Sequence, residues 1–331
     1  MTQEKFVSLE LGSGGKRMRD FIAEHIIPSF HNPLLDDLGD ASHLPMGVAF
    51  TTDSYVVDPI FFAGGDIGTL AVNGTVNDLV VGGAEPKFLS LAFILEEGLD
   101  FAVLERVIRS IRAAARAAKV RIVTGDTKVV RRGQGDKIYI NTAGVGRSIA
   151  LPGVRKIRPG DKVILTGTLG DHSLAVMLAR GDFGMSSSVR SDCAPLIFLL
   201  PLWKKGALWM RDVTRGGLAT VLFELAERLR YPVLIEEDKV PLSRPVLAAS
   251  ELLGIDPLYM ACEGKAVVIA PKAKAGAFLR LIRSHPLGRK AAVIGEVQDR
   301  VGRPGELLLQ TATGGLRLLE PLTSELLPRI C

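Results

Sequence analysis

The chain ends on a cysteine, Cys331, in a segment (Leu326-Leu327-Pro328-Arg329-Ile330-Cys331) with no helical or strand period of its own. A thiolate is a strong nucleophile. Chain ends move unless something ties them down, so a terminal thiol can travel into a site built elsewhere. Four acidic groupings offer such a site: Thr52-Asp53-Ser54, Asn77-Asp78, Gly125-Asp126-Thr127-Lys128 and Gly170-Asp171-His172. Asp, Asn and Thr oxygens are hard donors of the kind Mg²⁺ uses when it bridges nucleotide phosphates. A carboxylate inside an apolar strand is costly without a partner. Each grouping alone also suits a turn or a helix cap. Several together in one domain read as a polyphosphate–metal site.

Three further runs carry anion-binding or proton-moving groups. Gly12-Ser13-Gly14-Gly15, beside Lys16 and Arg17, is either a plain leader or a stretch that wraps phosphates with backbone N–H groups. It lacks the GKS or GKT of a Walker A loop. Met210-Arg211-Asp212-Val213-Thr214-Arg215-Gly216-Gly217 sets two arginines and an aspartate before a helix start, a place that favours anions; a capped helix with a surface ion pair is the plainer alternative. In Ala261-Cys262-Glu263-Gly264-Lys265, Glu263 is either an exposed turn residue or a base pointing into a cleft. Cys193 and Cys262 read as small packing residues.

Positioning these groups falls to alternating strands and helices. Residues 66–81 and 101–119 carry apolar side chains at near-helical spacing. Short strands are expected at 47–51 and 55–57, flanking Thr52-Asp53-Ser54, and longer ones at 87–95, 121–130 and 137–145. Two helices among about five strands predict an α+β sandwich. After a turn at Arg158-Pro159-Gly160-Asp161, a second α/β unit is expected, with strands at 162–166, 233–235, 265–269 and 291–297. Its helices are expected at 216–228, 245–253 and 274–284. Ahead of all this, a short helix over 16–27 is broken by Pro28 and Pro33. The resulting division is a glycine-rich segment (1–42), two domains (43–152 and 153–318) and a mobile tail (319–331).

The totals agree with this plan. A length of 331 residues suggests two domains, and 47% hydrophobic with 23% charged residues is an ordinary soluble composition. Two Trp and four Tyr argue against a reader of single-stranded nucleic acid, which stacks bases on aromatic rings. The net charge of +5 is dispersed, with no run long enough for a nucleic-acid arm. Three cysteines without metal-ligand spacing give no disulfide framework, so a reducing, cytoplasmic setting is expected. The first 15 residues lack the apolar core of a signal peptide, and no stretch reaches the length of a membrane span.

Taken together, several runs resemble the HypE family of hydrogenase maturation proteins over nearly the whole chain. They are Phe50-Thr51-Thr52-Asp53-Ser54-Tyr55-Val56-Val57-Asp58-Pro59, Gly64-Gly65-Asp66-Ile67-Gly68, Val72-Asn73-Gly74-Thr75-Val76-Asn77-Asp78 and Gly125-Asp126-Thr127-Lys128-Val129-Val130. Ser191-Asp192-Cys193-Ala194-Pro195, the Met210 to Ala219 run and the terminal Pro328-Arg329-Ile330-Cys331 complete the set. The terminal tetrapeptide is specific to that family. The aspartate groupings are shared by a wider ATP-binding superfamily that includes aminoimidazole ribonucleotide synthetase and selenophosphate synthetase.

The resemblance implies two PurM-like α/β domains, the N-terminal one pairing with its twin in a homodimer, with ATP in the cleft between domains. It implies that a HypF-type carbamoyltransferase loads the Cys331 thiol. ATP then drives dehydration of the carbamoyl group to a thiocyanate, and the cyano group passes to iron on a HypC–HypD complex. By the family pattern Glu263 is the base and Lys128 assists it. Asp53, Asp78 and Asp126 hold Mg²⁺–ATP, helped by Asn77 and Lys16, while Arg211, Asp212 and Arg215 line the cleft. The tail swings in to deliver Cys331. Two positions depart from the pattern: Cys262 stands where members often have Asn, and Val213 where they often have Pro. Two rivals stay in play, a free-substrate synthetase or kinase of the same superfamily and a non-catalytic ATP-binding scaffold. The terminal cysteine speaks against the first. Glu263, Lys128 and Cys331 together speak against the second.

Overall fold

The computed structural model describes residues 6–12, 16–30, 32–35, 39–181, 184, 186–322 and 329–331. Two sheets carry the two halves. The first has strands β1 (Ser42–Leu44), β2 (Val48–Tyr55), β5 (Ala84–Glu96), β6 (Arg121–Val130) and β7 (Ile138–Ser148), in the order β1-β2-β7-β5-β6. A separate two-residue hairpin, β3 (Phe61–Phe62) and β4 (Gly65–Asp66), precedes the first long helix. The second sheet has β8 (Lys162–Leu165), β9 (Trp209–Asp212), β10 (Val233–Glu236), β11 (Ala266–Ala270), β12 (Ala292–Val297), β13 (Leu307–Gln310) and β14 (Leu316–Leu318). Its order is β14-β13-β10-β12-β8-β11-β9.

The helix Ile67–Val81 joins the halves. Asp66 caps it in a reciprocal box: Thr69 N–H donates to Asp66 Oδ1 at 2.9 Å, and Asp66 N–H donates to Thr69 Oγ1 at 2.8 Å. All but two of its 15 residues are buried, so it is covered on every side rather than amphipathic. One face packs on the first sheet and the other meets the second domain, where Trp203 Nε1 donates to Val80 O at 2.8 Å. One apolar cluster accordingly runs from Leu70, Val76 and Val80 into Leu196, Met210, Val268 and Phe278, making the domain interface an extension of the core. The other helix of the first domain, Phe101–Ala118, packs beside it. Among the described residues no helix is long and apolar enough to cross a membrane.

Three expectations change. Thr52-Asp53-Ser54 is no turn: β2 runs unbroken, paired residue by residue with β7 (Thr52 opposite Ala143, Asp53 opposite Thr142), because the antiparallel ladder satisfies the backbone there. The early helix does not stop before Pro28. Lys16–Phe21 leads through a wide π turn, Ile22–Ile26, into Ile27–Phe30. Ile27 N–H closes that turn on Ile22 O, leaving Pro28 at the next position. Finally, Asp171 and His172 open a ten-residue helix, Asp171–Arg180, that the sequence reading passed over.

Candidate functional site

Carboxylates from three elements converge at the mouth of the domain interface. Asp40 lies just before β1, Asp78 in the last turn of Ile67–Val81, and Asp212 at the end of β9. One oxygen from each lies within 4.8 Å of the others. Thr51 Oγ1 bridges two of these residues, 2.7 Å from Asp40 O and 3.1 Å from Asp78 Oδ2. Like charges this close, partly withdrawn from water, favour the protonated form. Burial and then the Asp212, Asp53 and Asp40 carboxylates push Asp78 well above the usual range. Burial and then Asp40 raise Asp212 to about 8. Burial also raises Asp40, against the pull of Arg211. Asp53, on β2, faces the same cleft and is raised by burial, opposed by the Ser54 N–H, Tyr55 and Arg215. Arg211 supplies partial compensation, its Nε 3.0 Å from Asp40 Oδ1 and its Nη1 3.0 Å from Glu224 Oε2. A set of hard oxygens that repel one another and hold surplus protons fits a small divalent cation such as Mg²⁺.

Next to this cluster lies the chain terminus. Arg215 Nη2 is 3.0 Å from Cys331 Sγ, and Arg215 Nη1 donates to Gly12 O. Burial pushes the Cys331 thiol up to about 12, although the Arg215 guanidinium pulls the other way. Arg215 can stand here because the Gly216-Gly217 pair that follows it turns in the left-handed region (φ 81° and 66°). A Cβ on Gly217 would also sit 2.5 Å from Leu258 O.

Glu263 completes the group. It is almost wholly buried, and its Oε1 has no hydrogen-bond partner. Burial, then Asp212, Asp192 and Asp53, push its carboxyl well above the usual range, opposed by Arg215. Its main chain is fixed from several sides: Glu263 N–H donates to Asp192 Oδ1 at 3.1 Å, and Ala194 N–H donates to Glu263 O at 3.3 Å. Gly264 allows this approach, since a Cβ there would lie 1.9 Å from Asp192 O. Lys265 Nζ pairs with Asp192 Oδ2 at 3.1 Å in the same buried pocket. Burial alone lowers the Lys265 pKa, but Asp192, Cys262 and Asp171 together outweigh it and the net shift is upward.

The structure thus brings Asp53, Asp78, Asp212, Arg211, Arg215, Glu263 and Cys331 into one cleft. It does not bring Asp126 and Lys128 there. Both lie on β6, exposed at the sheet's edge, where Lys128 Nζ pairs with Asp126 Oδ2 at 3.0 Å. β7 and β5 stand between β6 and the strand bearing Asp53, a gap of roughly 14 Å at the usual strand spacing. Asn77, expected to help hold ATP, instead ties the domains together. Its Nδ2 donates to Ala194 O at 3.1 Å and Glu263 O at 3.4 Å, and its Oδ1 accepts from Leu196 N–H at 2.8 Å. The side chain of Lys16 and residues 13–15 of the glycine-rich stretch lie outside the described residues, as do tail residues 323–328. Residues 329–331, expected to be mobile, are docked, with Ile330 in the main core cluster. Sequence reasoning missed Asp40, whose only signal was the local crowding of Asp36, Asp37 and Asp40, and it missed the Asp192–Lys265 pair. The departure at Cys262 has a local account: its Sγ accepts from Gly170 N–H at 3.3 Å, facing the backbone before Asp171–Arg180.

Family models for AIR synthase related proteins match both halves of the chain, the N-terminal domain over residues 39–148 and the C-terminal domain over 158–303. The chain is 46% identical to the carbamoyl dehydratase HypE of Rhodobacter capsulatus over 341 aligned residues, covering 99% of each. A solved HypE in complex with ATP matches with TM-score 0.82 and 45% identity, over 98% of this chain and all of that one. HypE in a HypE–HypF complex matches with TM-score 0.87 and 40% identity, over 91% of this chain and 99% of the other.

Proposed function

The chain belongs to the HypE family of carbamoyl dehydratases of hydrogenase maturation, and from that premise we propose that it uses ATP to dehydrate a carbamoyl group carried on its own Cys331. The observation that carries this reading is the Cys331 sulfur seated 3.0 Å from Arg215 in the cleft that also holds Glu263 and the carboxylate cluster. A half-buried terminal thiol with a pKa pushed up to about 12 is a poor nucleophile where it rests, so docking serves a group already loaded on the sulfur.

The chemistry balances on these residues. The carbamoyl oxygen attacks the γ-phosphorus of ATP; an O–P bond forms, the bond to ADP breaks, and the nitrogen gives up one proton. Loss of the second nitrogen proton then drives out phosphate with the former amide oxygen, leaving S–C≡N. One proton ends on phosphate and one in solvent. Glu263 is the base, its unpartnered Oε1 free to accept an N–H proton in a pocket that excludes water. Asp78 and Asp212, with Asp40 and Asp53, would hold Mg²⁺, which neutralises phosphate charge when bound. Arg215 orients the sulfur. Arg211 holds Asp40 in place.

The relatives support the surroundings of this reaction. A relative solved with ATP supports ATP as the phosphoryl donor, and a relative solved with HypF supports a HypF-type carbamoyltransferase as the source of the carbamoyl group. The thiocyanate is passed to a HypC–HypD complex in the cytoplasm, toward [NiFe] hydrogenase. β6 offers an unpaired edge with Val123 and Val129 exposed, and we place the homodimer contact there. Two copies meeting at β6 carry Asp126 and Lys128 toward each other's clefts, which gives both residues a route to the site.

Intact-mass analysis tests the reading. The chain is incubated with the carbamoyltransferase, its carbamoyl donor and Mg²⁺–ATP, beside Cys331→Ala. A carbamoyl adduct that loses the mass of one water, absent from the variant, is expected. An adduct that persists unchanged with ATP would sink the proposal.

A further inference from the structure

The last three residues are held by far more than their covalent link. Val56 and Asp58 donate backbone N–H groups to the carbonyls of Cys331 and Arg329, at 3.1 and 3.2 Å. Both bonds hold this terminal segment by its backbone against the stretch that follows β2. The helix Asp171–Arg180 grips the same segment from its two ends. His172 Nε2 is 2.8 Å from Ile330 O, and Arg180 Nη2 is 2.8 Å from Arg329 O while its Nε donates to Asp58 O at 2.7 Å. Ile330 O can only accept, so Nε2 carries the ring proton, and in a neutral ring Nδ1 accepts from Ser191 Oγ at 2.8 Å, while Ser191 Oγ accepts from Cys193 N–H. Burial lowers the His172 pKa, leaving a neutral ring whose Nε2–H points at the tail.

Each tail side chain also has its own receptor. Arg329 donates through Nε to Val56 O at 2.8 Å and pairs with Asp136. Ile330 is buried in the core, and Cys331 meets Arg215. Arg329 sits at φ 52°, a left-handed conformation that side-chain-bearing residues rarely adopt. The contacts on both sides hold that bend in place.

We infer that this groove is a peptide-binding site that reads a C-terminal Arg-Ile-Cys by sequence, and that it accepts such a peptide in trans as well as the chain's own tail. Every contact named above falls within the last three residues, so none of them requires the covalent link. The inference rests on the dehydratase reading for what becomes of a captured S-carbamoyl peptide, and not for its capture.

Two measurements test it. In the full chain, Cys331 alkylation by iodoacetamide, read by peptide mass mapping, reports how often the tail leaves the groove. Arg329→Ala and Arg180→Ala each should raise that rate at least about tenfold, the lower end for one lost hydrogen bond to a charged group. Rates unchanged in both variants overturn the inference. The second measurement uses a chain ending at Pro328 and a synthetic peptide of residues 326–331, S-carbamoylated on its cysteine. Saturable binding is expected by anisotropy, at least about tenfold weaker when glutamate replaces the peptide's arginine. Equal binding of the two peptides, or none by a shortened chain that melts like the full one, overturns it. Peptide that binds selectively but is never dehydrated upholds the groove and counts against the dehydratase reading. Dehydration of the tethered group without peptide selectivity does the reverse.

Discussion

Asp126 on β6 and the aspartates in the cleft are the same residue type in opposite electrical states. Asp126 stands in the open, and Lys128 with the Thr127 N–H holds its carboxyl below the usual range. Asp78 and Asp212 stand against one another under protein, and burial holds both above that range. Opposite shifts mean opposite needs. Asp126 is already satisfied within its own chain, whereas the cleft aspartates have only partial compensation from Arg211 and Arg215. A cation belongs with the second group. The first awaits a partner surface.

The sharpest way to break this contrast is to neutralise one side. Asp78→Asn or Asp212→Asn should lower ATP-dependent conversion of the carbamoyl adduct at least about 100-fold and raise the Mg²⁺ needed for half-maximal rate. A loss under threefold would remove the cluster from the chemistry. Asp126→Asn should cost about tenfold, and only through the dimer. Mixing Asp126→Asn copies with Asp78→Asn copies should then restore about a quarter of wild-type turnover, since half of the dimers would hold one intact site. No recovery on mixing would separate β6 from the cleft altogether.

A third test reads the docked thiol. Docking raises the Cys331 pKa from its ordinary 9.0 to about 12. The sign follows: docking is fully favourable below about pH 9 and weakens as pH climbs toward 12, because only the released tail ionises readily. Wild-type alkylation should keep rising past pH 10, while that of Arg180→Ala levels off above about 9. Coinciding profiles would mean that the thiol is not held as described. The smallest effect is expected at Asn77. Asn77→Ala should lower unfolding stability by about 1–3 kcal/mol, the cost of unpaired backbone groups in a buried seam, with little change in the Mg²⁺ requirement. A large Mg²⁺ effect instead would return Asn77 to the nucleotide.

Much of the site was legible because its residues come in short, chemically odd runs. An arginine–aspartate–arginine group before two glycines, or a cysteine at the very end of a chain, stands out from any core pattern. Asp40 has no such context, and its role arises only because β1 lies beside the end of Ile67–Val81. Thr52-Asp53-Ser54 looked like a turn because polar residues interrupt an apolar stretch. In the folded chain they sit within a strand whose backbone β7 satisfies, with Asp53 on the cleft face and Thr52 and Ser54 on the opposite one. The helix Asp171–Arg180 was overlooked, and with it the grip of His172 and Arg180 on the tail.

By itself the sequence determined the two-domain α/β plan, through apolar periodicity and turn residues, and it named the reactive types: a terminal thiol, an acid beside a glycine, aspartates in apolar settings. These are local properties, set by neighbours along the chain. Only the tertiary structure decided which aspartates share a cleft, that Asn77 binds backbone across the domain seam, and that the tail rests inside. Those outcomes depend on distance and burial between segments far apart in sequence. Because electrostatic energy follows distance and exposure to water rather than residue type, Asp78 and Asp126 read alike in the chain and differ in the fold.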